Sequence, residues 1–231
     1  MRKLRILLTS VLSLMLLLGC QVINKVPDTV ELENDYEVLA ENIIVESISG
    51  DLAYALDTPV GLQKAIDEII DVVAIVRINS VNYSNWYPMT KEYDLPYTYG
   101  EASVIENLKG ELLAKKITYR RFGGILPYEE YIKASNASEK VTRLQKENNV
   151  DVDSLKGTKI ISRWDGDIEM EVGKTYLVLM INDPKFHQEN EYWFEGYQYG
   201  LREVQLEPLK IKNNVTGEWE QLSALGLNFG Y

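Results

Sequence analysis

The sequence predicts a mainly β domain, antiparallel in its pairing, with one packed helix and one helical insertion. Three observations predict it. Two runs, Val72 to Val81 and Thr175 to Ile181, are apolar, rich in β-branched residues and nearly uninterrupted, as strands buried in a core are. Two further segments, about Tyr97 to Asn107 and Lys116 to Phe122, alternate in polarity and stop at Lys109-Gly110 and at Gly123-Gly124, where glycine favours a turn. Helical spacing is confined to Leu62, Ile66, Ile69 and Ile70, and to a charged stretch at about 127–149.

At the N-terminus, Arg2, Lys3 and Arg5 form a positive start, and Ile6 to Leu18 an apolar run broken only by Thr9, Ser10 and Ser13, which together make a secretory signal over 1–19. The run is short for a membrane span, which needs about 20 apolar residues. It ends at Leu17-Leu18-Gly19-Cys20, which resembles the lipobox of bacterial lipoproteins. That resemblance implies cleavage before Cys20 and transfer of a diacylglyceryl group to its thiol, with palmitate among the expected acyl chains. Two acyl chains anchor stably, each buried methylene adding about 0.8 kcal/mol.

Residues 20–57 are polar and acidic and are expected to be a flexible tether with a reach of about 120 Å at about 3.3 Å per residue. The segment Tyr36 to Glu46 carries enough apolar residues for a helix or a strand, so the boundary is soft. The folded domain is placed at 58–231. Thr58-Pro59 starts a helix, because threonine can cap an orphan N–H and proline at the first helical position loses nothing. The strands at 72–81, 97–107 and 116–122 suggest a meander. Sheet is expected again at Thr158 to Trp164, Thr175 to Ile181 and Tyr192 to Tyr199, and Pro208 to Leu222 reads as a hairpin.

The order of Asp71 to Ile78, a strand ending Asn107-Leu108-Lys109-Gly110, Ile117 to Tyr119 with Gly123-Gly124, and Glu171-Val172-Gly173-Lys174 opening a strand resembles the netrin-like modules and the inhibitory domain of tissue inhibitors of metalloproteinases. The resemblance covers about 65–222 and implies a small antiparallel barrel of the oligonucleotide/oligosaccharide-binding (OB) type. It does not carry inhibition over. Those inhibitors chelate a protease zinc through a free N-terminal cysteine pinned by disulfides, whereas the single cysteine here, Cys20, is expected to be acylated and far from the barrel.

Composition narrows the chemistry. The net charge of −11 includes the three basic residues of the signal, so the chain beyond the signal is more acidic still, and nucleic acid is excluded as a partner by repulsion. One cysteine and one histidine leave no intramolecular disulfide and no cysteine-rich zinc site, and no Cys–His nucleophile once Cys20 carries lipid. His187 lies in a polar stretch without the frame of a triad and reads as a solvated loop residue. Asp165, Asp167 and Glu169 loosely resemble the start of a calcium loop, but the later glutamate is missing; ordinary surface acids are favoured and no cofactor is expected.

The aromatic residues are the most suggestive group. They concentrate at Tyr83 to Tyr99 and at Tyr192 to Tyr199, and strand alternation would place Trp193, Tyr197 and Tyr199 on one face with Tyr192 and Phe194 on the other. Trp86, Tyr87, Trp193, Tyr197 and Tyr199 are therefore the candidate ligand-binding residues; the bland alternative is that these rings fill gaps between barrel, helix and insertion. The expectation is a membrane-anchored, outward-facing lipoprotein, its bilayer contact made through Cys20, acting as a non-catalytic binding module for a protein or glycan. A carboxylate-based hydrolase is the alternative, and a transport-associated solute-binding lipoprotein a further one that its size disfavours.

Overall fold

The computed structural model describes residues 43–48, 54–87, 91–112, 114–133, 137–182 and 191–225, all within a compact unit that runs from Glu41 to Tyr231. The signal, Cys20 and the first half of the expected tether lie outside the described residues, as does His187. The architecture is mainly β, and its pairing is mostly antiparallel.

Its centre is a ring of five strands. β2 (Val72–Ile78) pairs antiparallel with β4 (Glu92–Lys109), and β4 with β5 (Lys116–Phe122). β5 runs parallel to β9 (Glu191–Glu195), which pairs with β8 (Thr175–Ile181), and β8 returns to β2. A further strand, β3 (Asn82–Tyr87), lies on the chain between β2 and β4 and pairs with β4 alone among these. Alternation sends Ala74, Val76, Ile78, Ala102, Ile117, Tyr119, Tyr176, Val178, Met180, Tyr192 and Phe194 into the ring. At Gly100 a Cβ would stand 2.1 Å from the Ser80 carbonyl oxygen and 3.0 Å from the Tyr119 hydroxyl, so glycine is what lets the tyrosine fill the interior.

The uninterrupted apolar runs have a simple cause. The other faces of β2 and β8, with Val73, Ile75, Leu177 and Leu179, are covered too, by a second apolar cluster. Part of that cover is α1 (Pro59–Glu68), which buries Leu62, Ala65 and Ile66. Its start is the expected one, the Thr58 hydroxyl accepting from the Gly61 N–H at 3.0 Å. At its other end the Lys109 ammonium donates to the carbonyls of Ile66 and Ile70, a cation at the negative end of a helix. The rest of the cover is β10 (Leu201–Leu206), paired with β8, and the hairpin of β11 (Leu209–Lys212) and β12 (Trp219–Gln221). Asn213 Oδ1 closes the hairpin turn by accepting from the N–H groups of Val215 and Thr216.

A separate three-stranded sheet has the order β1 (Ile43–Ile48), β7 (Lys159–Trp164), β6 (Gly124–Pro127). The stretch 20–57 read as tether is therefore not irregular throughout: Ile43 to Ile48 run parallel to Lys159 to Trp164 in continuous register. Their β-branched residues suit a strand, but the partner lies more than a hundred positions away. The expected insertion contributes α2 (Tyr128–Tyr131) and α3 (Ala137–Asn148), and α4 (Val152–Leu155) comes next. It is more than surface decoration, because Leu126, Tyr128, Tyr131, Leu144, Leu155 and Ile160 form a third core beneath it. Among the described residues no helix is long and apolar enough to cross a membrane.

Candidate ligand-binding face

The outer faces of β4, β5 and β9 carry a different set of side chains from those of β2 and β8. With Ile117 and Tyr119 inside, alternation turns Arg120 and Phe122 outward. Register then places Tyr99 opposite Arg120 and Tyr97 opposite Phe122 on one side, and Trp193 opposite Arg120 on the other. β3 adds Tyr87, whereas alternation turns the preceding Trp86 the other way, onto Tyr93. The pairing of β3 with β4 slips between Ser84 and Trp86, and the Ser84 hydroxyl accepts from the Trp86 N–H at 2.9 Å, which aims the next two rings. The slip is pinned on both sides: Asn85 is buried and donates to the Glu130 carbonyl at 2.7 Å, and the Tyr97 hydroxyl donates to the Trp86 carbonyl.

At the centre Arg120 is 7% exposed and donates through Nε to the carboxylate of Glu191, which is 5% exposed. Its guanidinium lies 4.7 Å from the ring centre of Tyr97, 5.4 Å from that of Tyr87 and 5.9 Å from that of Tyr99. Cation–π attraction in such a desolvated place reaches about 2 kcal/mol and helps offset the burial of the charge. Nη1 of Arg120 is buried with no hydrogen-bond partner among the described residues. Around this centre the rings form a strip of close pairs: Tyr87 against Tyr97 at 6.2 Å, Tyr97 against Tyr99 at 5.8 Å, and Phe122 edge-on to Trp193 at 4.6 Å. Trp86, Tyr99 and Phe122 are 40%, 37% and 36% exposed, so their faces are open to a ligand.

Of the five expected binding residues, Tyr87 and Trp193 border Arg120, and Trp86 packs on Tyr93 instead. Tyr197 and Tyr199 do not join them. The strand expected to continue to Tyr199 stops at Glu195, because Gly196 and Tyr197 take φ of +85° and +45° and fold the chain into α5 (Tyr197–Gly200). Tyr197 packs on Trp164 at 4.5 Å, and Tyr199 joins the cluster that covers β8.

The three acids weighed as calcium ligands are placed apart in function as well. Asp167 is buried and accepts from the guanidinium of Arg121, while Glu169 faces Arg163 at 3.6 Å. The described residues contain no group of three metal-capable side chains. Arg121 also donates to the Ile168 carbonyl at 2.9 Å, and the pair closes one end of the ring beside a cavity of about 30 Å³, too small for an organic ligand.

Arg120 and Arg121 are not among the residues singled out from the sequence, yet a signal existed. Two successive residues of a strand point to opposite faces, so an Arg-Arg pair within Lys116–Phe122 has to put one guanidinium on the inner side, where it needs a carboxylate.

Glu195 bears on the hydrolase alternative. Burial pushes its carboxyl up to about 7, against a hydrogen bond to the Gly196 backbone that acts the other way. Its cross-strand neighbour is Leu179, not a second acid placed for glycosidic or acyl chemistry. The effect falls on stability instead. A carboxyl whose proton is held more tightly in the folded state stabilises the fold fully below its unfolded value near 4.5, and that contribution is lost as pH rises through about 7. Glu195→Gln is expected to flatten this fall in the unfolding free energy between pH 4.5 and 7. Denaturant titrations of both proteins across that window check it, and parallel profiles would refute it.

No family model matches the chain, and neither a curated protein nor a solved structure matches it.

Proposed function

We propose that this protein is a lipid-anchored, extracytoplasmic binding module without catalysis, and that it takes its ligand on the outer face of β3, β4, β5 and β9. The observation that carries the proposal is the exposed aromatic strip held around a buried, charge-compensated Arg120 with one uncommitted donor. Rings presented from paired strands are stiff and keep their geometry without a ligand, which lowers the entropy cost of binding.

The ring order supports an OB-type barrel akin to the netrin-like modules. Numbered along the chain, the five ring strands close as first, second, third, fifth, fourth, with the third and fifth parallel. In such barrels the face of the second and third strands and the connection between the first and second bind ligands. Here those are β4, β5 and the segment that carries β3. The address rests on the signal and on Leu17-Leu18-Gly19-Cys20, and the charge of −11 argues against nucleic acid on the face.

The test uses the full chain in intact cells. Cys20→Ser is expected to abolish labelling by a radioactive fatty acid and to move the protein from the membrane to the soluble fraction. A membrane-bound, unlabelled wild type would remove the anchor. Surface cross-linking is expected to yield an adduct that Tyr99→Ala/Trp193→Ala loses while retaining its circular dichroism. An adduct that survives the double substitution would remove the face.

A further inference from the structure

We infer that the ligand of this face is an uncharged, extended polysaccharide, an inference that rests on the face being a binding site. The open rings on the Arg120 side are Tyr99 on β4 and Phe122 on β5, with Trp193 on β9 standing edge-on to Phe122. Neighbouring strands are about 4.8 Å apart, so a strip from β4 to β9 crosses two spacings, about 10 Å, more than one sugar ring covers. A chain of pyranose rings presents alternating C–H faces and hydroxyl edges, the complement of flat rings with polar handles.

The polar centre selects within that class. Nη1 of Arg120 is a buried donor with no acceptor among the described residues, and a ligand oxygen placed beside it would relieve a real cost. That same donor disfavours a cationic peptide. An anionic glycan is disfavoured as well, because Glu191 already balances the guanidinium and Glu101 and Glu92 border the rings on their strand. A hydroxyl oxygen meets both conditions.

Affinity electrophoresis of the full chain, purified in detergent, tests the inference in native gels cast with hydroxyethylcellulose, with glucomannan, with alginate as the polyuronate, or with no polymer. Retardation is expected in at least one neutral polymer and not in alginate. Tyr99→Ala and Phe122→Ala, both at exposed rings, are each expected to weaken it by about tenfold, the loss of one stacking contact. Absence of retardation in both neutral gels, equal retardation in alginate, or retardation untouched by the two substitutions would each overturn it. If the neutral gels are silent while the surface cross-link still depends on Tyr99 and Trp193, the binding face stands with a protein ligand and the carbohydrate inference alone fails.

Discussion

Arg121→Leu is expected to lower the unfolding free energy by about 3–5 kcal/mol, because it leaves the Asp167 carboxylate buried without a counter-charge. The two side chains are 5% and 4% exposed, so water cannot replace the lost partner. The loss is large against the total of about 5–15 kcal/mol that a domain commands. It is expected as a shift of the urea midpoint measured by tryptophan fluorescence. The cost lies in the orphaned charge, not in the pair as such. Arg121→Leu/Asp167→Leu is therefore expected to recover most of the stability, since apolar residues of similar volume commonly replace a buried pair without loss. A single variant that shifts by less than about 1 kcal/mol, or a double variant no better than the single, would show that the ring end is held by something else.

Tyr119→Ala is expected to cost about 3–5 kcal/mol, the range for removing a large buried aromatic side chain. Tyr119 is 1% exposed, lies stacked on Phe194 at 4.7 Å with 12° between the rings, and donates its hydroxyl to the Ser80 carbonyl at 2.7 Å. Its burial pushes the hydroxyl pKa well above the usual tyrosine value, so it remains a donor at any pH the fold survives. Tyr119→Phe keeps the ring and loses only the hydrogen bond, and about 1–3 kcal/mol is expected, mostly from the carbonyl left without its donor. The order Ala above Phe in the same denaturation experiment checks that the ring, and not its hydroxyl, organises the interior.

Which parts of this architecture can be read from residues depends on the range of the interactions that make them. α1 is legible because its start is a matter of neighbours: Thr58 caps Gly61 three positions on. β2 and β8 are legible because strands covered on both sides show unbroken apolar runs, and the closing hairpin because Asn213 and Gly217 mark its turn. β1 is ambiguous for the opposite reason. Ile43 to Ile48 acquire meaning only beside Lys159 to Trp164, a pairing that no local pattern announces. The end of β9 is misplaced by the sequence pattern because aromatic alternation continues through Tyr197 and Tyr199, while two residues of positive φ, Gly196 and Tyr197, end the strand first.

The candidate site divides in the same way. The aromatic richness of 83–99 and 192–199 is visible, but not which rings meet. Trp193 reaches Phe122 and Arg120 through the parallel pairing of β5 with β9, and Glu191 finds Arg120 across 71 positions. The sequence by itself determined the mainly β class, the helix at Thr58, the acidity of the chain, and the expectation of an anchor at Cys20. All of these are set by composition or by contacts within a few residues. Only the tertiary structure decided that five of the strands close into a ring, that an Arg120–Glu191 pair lies under the aromatic strip, and that Asp167 serves Arg121 instead of a cation. Those outcomes depend on strand register and on which charges are buried together, and register is a property of paired segments that neither segment carries alone.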